Sequence, residues 1–289
     1  MKMIFTRLGC FSVAVFLCLS SNVTQAQPAA DRSWSNDPRV QSRSYVFTNT
    51  GEILPYAVFV STKVAKEKPA PLIVALRGYG GNPGVFMHEP ALKLAEDGGY
   101  VMVAPMGYNS GGNFGNPAGA MGNFGRRNGG APNAPATNQP PRSPEAASDL
   151  SKITEYSEQD VMNVLGMIRK EFNIDSHRIY LVGHSQGGAG ALHIADKYST
   201  IWAGVAGLAP GAPGFQLDAN AKFKDVAVLI MVGEKDGLIG SVQALNERMK
   251  TLNIAHEYKE LPGLDHGGII MGGMPNVFEF FSQHTKPAP

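Results

Sequence analysis

Ser185 stands in Gly183-His184-Ser185-Gln186-Gly187, a serine held between two glycines. This five-residue pattern arises by chance, but its flanks are informative. The β-rich run Arg178-Ile179-Tyr180-Leu181-Val182 precedes it and a small-residue run, Gly188 to Leu192, follows, so the serine belongs to a strand-to-helix turn. Such a turn strains the backbone and leaves no room for side chains at its flanks, which explains the glycines. It pushes the hydroxyl out at a sheet edge. The chemistry this allows is nucleophilic attack, for which a hydroxyl needs a base within hydrogen-bond reach and a third group to orient that base.

The acid and then the base follow such a turn in chain order. Asp236 comes after the apolar run Val226 to Val232, and His266 lies in the glycine-rich segment Pro262 to Gly268 after the run Ile254 to Leu261. Both residues therefore return to the edge that carries Ser185. His256 is expected inside a strand, His193 inside a helix and His284 near the C-terminus, none of them in a loop at that edge. Glu234 competes with Asp236, and Asp265 adjoins His266 but points elsewhere. His184 reads as a packing or turn residue.

Acyl transfer also needs two preorganised donors for the oxyanion. The backbone N–H of Gln186 is one; Tyr79, in Leu76-Arg77-Gly78-Tyr79-Gly80-Gly81-Asn82 after the third strand, is chosen for the other. No zinc-binding His-Glu-x-x-His, phosphate loop or dinucleotide fingerprint is present, and no cofactor or metal is expected.

Positioning these residues requires a sheet. Largely apolar runs at 71–76, 100–104, 178–182, 202–208 and 226–232, and the more polar run 254–261, alternate with helical segments. This is the pattern of a mostly parallel sheet covered on both faces, an α/β fold. Two further runs, 44–48 and 54–60, flank the turn residues 49–52 and predict an antiparallel hairpin at its entry, for about eight strands in all. Val161, Val164, Leu165, Ile168 and Phe172 recur at helical spacing, with Ser157 and Asp160 as a capping pair at the start of that helix.

Residues 107–150 break the alternation. Rich in Gly, Asn, Pro and Ala, they predict a long loop: either a linker without a role or a flap beside the site. Under the second reading Tyr108, Phe114, Phe124, Arg126 and Arg127 become candidate substrate contacts, and Arg77 joins them as a charged group near the site.

Lys2, Arg7, the apolar run Phe11 to Leu19 and Thr24-Gln25-Ala26 read as a cleavable signal peptide over 1–26, so a secreted or periplasmic location is expected. The apolar run falls short of the roughly 20 residues a bilayer needs, and no stable membrane insertion is expected. Residues 27–43 read as an arm and 44–289 as one catalytic domain. Cys10 and Cys18 both lie in the signal, which removes thiol chemistry from the mature chain. A formal charge of +1 gives no electrostatic case for nucleic acid. A monomer acting on a small-molecule or polymeric ester is expected.

On the oxyanion loop, Gly183 to Gly187, Gly233 to Asp236 and His266, the chain resembles the α/β-hydrolase superfamily. Within it, the likeness is to secreted esterases grouped with polyhydroxybutyrate depolymerases and feruloyl esterases. The resemblance spans roughly 44–284 and implies an α/β-hydrolase fold and ester hydrolysis. The short spacings from Ser185 to Asp236 and on to His266 leave no room for a large cap domain. One position departs: that family usually has His before the oxyanion-loop glycine, where this chain has Arg77, so the support of the loop is in question. Three rivals stand beside the esterase: a peptidase resembling the prolyl oligopeptidase catalytic domain, a catalytically silent binding protein on the same fold, and a long-chain lipase, for which no large apolar lid is seen.

Overall fold

A computed structural model describes residues 34–116, 150–211 and 217–287. The expected signal peptide, most of the expected loop at 107–150, and Phe124, Arg126 and Arg127 lie outside the described residues. Eight strands form one sheet in the order β1-β2-β4-β3-β5-β6-β7-β8. They are β1 (Val40–Val46), β2 (Ile53–Val60), β3 (Ala70–Leu76), β4 (Val101–Pro105), β5 (Ile174–His184), β6 (Gly204–Leu208), β7 (Ala227–Gly233) and β8 (Glu257–Leu261). β1 and β2, and β2 and β4, pair antiparallel; the other pairs are parallel. This is the α/β-hydrolase fold.

Burial explains which strands are central. β3 and β4 are buried at every position, as strands covered on both faces must be. β8, Glu-Tyr-Lys-Glu-Leu, has no fully buried residue and ends the sheet with charges that discourage pairing with another chain. The β1–β2 turn closes as its residues predict, with Phe47 N–H donating to the Glu52 carbonyl at 2.7 Å and Gly51 at φ 73°. β1 begins at Val40, inside the segment read as an arm, and Ser35 ahead of it is buried with its hydroxyl on the Met87 carbonyl.

Six α-helices cover the sheet among the described residues: α1 (Ala91–Gly98), α2 (Leu150–Glu171), α3 (Gln186–Lys197), α4 (Ile239–Thr251), α5 (Gly268–Gly272) and α6 (Met274–Gln283). Val161, Val164, Leu165 and Ile168 of α2 are buried, as their spacing predicts. The expected start at Ser157 is corrected. α2 begins at Leu150, and Ser157 is interior: its hydroxyl lies 2.6 Å from the Ile153 carbonyl and 2.7 Å from that of Gly107. A serine that bonds back to the turn before it carries the same local signature as a cap.

Register decides where chemistry can collect. Leu76 pairs with Gly183, His184 with Leu208 and Gly233 with Leu261, so β3, β5, β7 and β8 all open their following loops on one rim.

Candidate active site

β5 ends at His184 and α3 begins at Gln186, leaving Ser185 alone between them at φ 54°, ψ −118°. A non-glycine residue there is strained, by about 1–3 kcal/mol, and persists only where its surroundings fix it. They do so here. Ser185 N–H donates to Leu208 O at 2.9 Å, and its own carbonyl accepts from Ala189 N–H at 3.0 Å. A Cβ at Gly183 would stand 2.1 Å from the Gly187 oxygen, and one at Gly187 would stand 2.2 Å from the Arg77 oxygen and 2.3 Å from that of Leu76. The glycines thus let the turn fold tightly and let α3 press on the end of β3.

Asp236 and His266 come from the loops after β7 and β8, which are stitched together. Glu234 N–H donates to Leu261 O at 2.9 Å and Lys235 N–H to Leu264 O at 2.8 Å. The Asp236 carboxylate is buried; Oδ1 accepts from Leu238 N–H at 2.8 Å, and Oδ2 lies 2.8 Å from His266 Nδ1. That contact assigns the proton to Nδ1 and turns the lone pair of Nε2 toward Ser185 Oγ, 3.0 Å away. The hydroxyl, imidazole and carboxylate therefore form one continuous relay at hydrogen-bond distance, with the imidazole partly open to solvent.

The loop after β3 runs against this serine. A Cβ at Gly78 would come 3.4 Å from Ser185 Cβ and 3.0 Å from His184 Nδ1. Tyr79 follows with its side chain half-exposed, and Gly80, at φ 71°, donates its N–H to Ser110 O at 2.8 Å. Among the described residues, neither the Tyr79 nor the Gln186 backbone amide donates to another protein group.

Of the six residues expected to touch substrate, the three that are described are all buried. Arg77 is fully buried and directs its guanidinium to backbone carbonyls. Tyr108 is buried with its hydroxyl on Glu52 and its ring against Phe47 and Tyr156. Phe114 is wholly buried, pressed on Gly107 and Gly190, with the Arg77 guanidinium 5.1 Å from its ring centre. Both aromatic residues adopt positive φ, 62° and 53°, which turns the start of the glycine-rich segment inward instead of leaving it as an open flap.

A family model described as the dienelactone hydrolase family matches residues 57–270, a span that includes Ser185, Asp236 and His266. The chain belongs to the dienelactone hydrolase family. Its fold is also that of several solved structures. An S-formylglutathione hydrolase from Agrobacterium tumefaciens superposes with TM-score 0.60 at 18% identity, covering 84% of this chain and 94% of that one. A CE1 ferulic acid esterase from Anaeromyces mucronatus, in complex with ferulic acid, gives TM-score 0.60 at 18% identity over 84% and 90%. A thermostable esterase gives 0.58 at 19% identity over 86% of this chain, which spans only 64% of that longer protein. At these identities the likeness is one of fold.

In this member of the dienelactone hydrolase family, two further buried groups flank the site. His184 is desolvated, and beside the His266 ring its pKa falls to about 4, so it is neutral near pH 7. Its Nε2 lies 2.7 Å from the His266 carbonyl oxygen and therefore carries the proton. Asp160 is buried on α2, and burial raises its carboxyl to about 6 against the pull of three donors: Tyr45 hydroxyl at 2.7 Å, Gly107 N–H at 2.6 Å and Tyr108 N–H at 3.4 Å. Sequence reasoning missed Asp160 as a site element. The available signal was an acid on the stripe that also holds Ser157, Val161 and Val164, where an apolar residue would be the ordinary choice.

Proposed function

We propose that this hydrolase is an exported serine carboxylic-ester hydrolase working through an acyl-enzyme. In this reading Ser185 Oγ attacks the ester carbonyl while His266 Nε2 takes its proton. The backbone N–H groups of Tyr79 and Gln186 receive the oxyanion. Collapse of the tetrahedral intermediate breaks the carbonyl–alkoxy bond, and His266 returns the proton to the leaving alcohol. Water then repeats the sequence: His266 takes its proton, hydroxide adds to the acyl carbon, and Ser185 leaves with the proton restored. Asp236 holds the imidazole in the required tautomer and stabilises the imidazolium that forms.

The observation that carries this reading is the relay of 2.8 and 3.0 Å from Asp236 through His266 to Ser185, ending on a serine whose backbone is held at positive φ. Strain of that kind is maintained where a side chain must be presented. The α/β-hydrolase fold, the family and the carboxylic-ester chemistry of neighbours such as the ferulic acid esterase support it, and the N-terminal segment supports export. The test uses p-nitrophenyl acetate: a pre-steady-state burst of p-nitrophenol is expected from the native protein and none from Ser185→Ala. Full steady-state activity in Ser185→Ala would overturn the assignment.

A further inference from the structure

The surroundings of Arg77, at the head of the loop after β3, give it a definite task. The side chain is 1% exposed and forks across two segments. Nη1 donates to Gly78 O at 3.0 Å, within the loop that leads to Tyr79. Nε donates to Met106 O at 2.8 Å; Nη2 donates to Asn109 O and reaches Gly112 O at 3.4 Å. The bond from Gly80 N–H to Ser110 O joins the same two segments on the far side of Tyr79. The carbonyl oxygen of Arg77 itself lies under Gly187, where even a methyl group could not fit.

From this geometry we infer that Arg77 is a positioning residue for the oxyanion donor: its guanidinium fixes the 77–80 loop against the 106–112 segment and so sets where the Tyr79 N–H points. The role rests on the ester-hydrolase reading. A planar fork suits it because its separate nitrogens present five N–H donors in a fixed geometry and meet four carbonyls on the two segments, more than the three donors of one ammonium can satisfy. Neutral donors would leave some of these buried carbonyls unmet. The cost of burying the cation is offset by Asp160, whose carboxylate attracts it and also clamps Gly107 and Tyr108 of the second segment. Burial lowers the Arg77 pKa to about 9, which leaves the group charged at neutral pH. The position that raised doubt about loop support is thus the support.

The test compares Arg77→Met and Arg77→Lys with the native full chain on p-nitrophenyl acetate, counting active sites by burst amplitude. It also measures affinity for a phenylboronic acid, which becomes tetrahedral on a serine oxygen and so samples the oxyanion donors. Arg77→Met should lower kcat per active site roughly 100-fold with KM within about 3-fold, and weaken the boronic acid by a similar factor. Arg77→Lys, which keeps the charge opposite Asp160, should recover part of both and serves alone if the Met variant does not fold. A merely structural role would reduce the number of active sites and leave kcat per site and boronate affinity unchanged; that result overturns the inference. A native chain with no burst overturns the ester-hydrolase reading and this role with it.

Discussion

His184 Nε2–H donates to the carbonyl oxygen of His266 at 2.7 Å, and the two imidazole rings lie 4.6 Å apart. The residue before the proposed nucleophile thus holds the backbone of the proposed base. Because burial keeps His184 neutral, it has one N–H to give and spends it on this bond. His184→Phe keeps an aromatic ring but leaves the carbonyl unmet, at about 1–3 kcal/mol. The His266 loop should loosen, and kcat for p-nitrophenyl acetate should fall roughly 10-fold with little change in KM. An unchanged kcat would show that the loop needs no such tether.

Asp236→Asn tests the orientation of the imidazole. The carboxylate is buried, with one oxygen occupied by Leu238 N–H and the other by His266 Nδ1. An amide that keeps the Leu238 bond presents NH2 to Nδ1 and stabilises the wrong tautomer, with the proton on Nε2 facing Ser185. The fold should survive, while kcat drops on the order of 10³ to 10⁴, as when other triads lose this charge. A loss smaller than about 10-fold would point to another carboxylate, Glu234 being the neighbour to try next.

The sheet was legible because its central strands are apolar runs bounded by turn residues, and β3, β4, β6 and β7 are buried too completely to be mistaken for amphipathic helices. Ser185, Asp236 and His266 could be picked out together because each lies in the turn or loop that follows a strand. Arg77 was recognised as unusual, but the direction of its side chain is not encoded locally. Its acceptors lie 29 to 35 residues further on, apart from the adjacent Gly78. Tyr108 and Phe114 misled for a physical reason. Aromatic residues in a glycine-rich stretch look like exposed contacts, whereas positive φ at both turns their rings into the protein. The bond from His184 to His266 spans 82 residues and has no sequence signal at all.

Gly187→Ala probes the contact between the nucleophile turn and the end of β3. The added methyl would meet two backbone oxygens at 2.2 and 2.3 Å, and backbone cannot swing aside as a flexible side chain can. Overpacking of this kind costs about 1–3 kcal/mol or more. It also separates Ser185 from the 77–80 loop. Thermal unfolding should shift down by several degrees, and the activity remaining per folded molecule should fall as well. Native stability with native kcat would mean that α3 does not press on β3 in solution.

Asp160 and His184 titrate in overlapping ranges with opposite effects on stability. Burial raises Asp160 to about 6 from 3.8, so between these values the folded chain binds more protons than the unfolded one, and stability falls as pH rises through the window. Burial lowers His184 to about 4 from 6.5; there the unfolded chain binds more protons, and stability rises with pH until it is fully present above 6.5. At about 1.4 kcal/mol for each pH unit of displacement, each contribution is on the order of 3 kcal/mol, and between pH 4 and 6 they nearly cancel. Removing either group should expose the other. Asp160→Asn can keep its bonds, with the amide oxygen toward Gly107 and Tyr108 and its NH2 toward the Tyr45 hydroxyl, and its Tm should climb from pH 4 to 6. His184→Phe should show a Tm that declines over the same interval. If both variants reproduce the native pH profile of Tm, neither group is held in the buried ionisation state described for it.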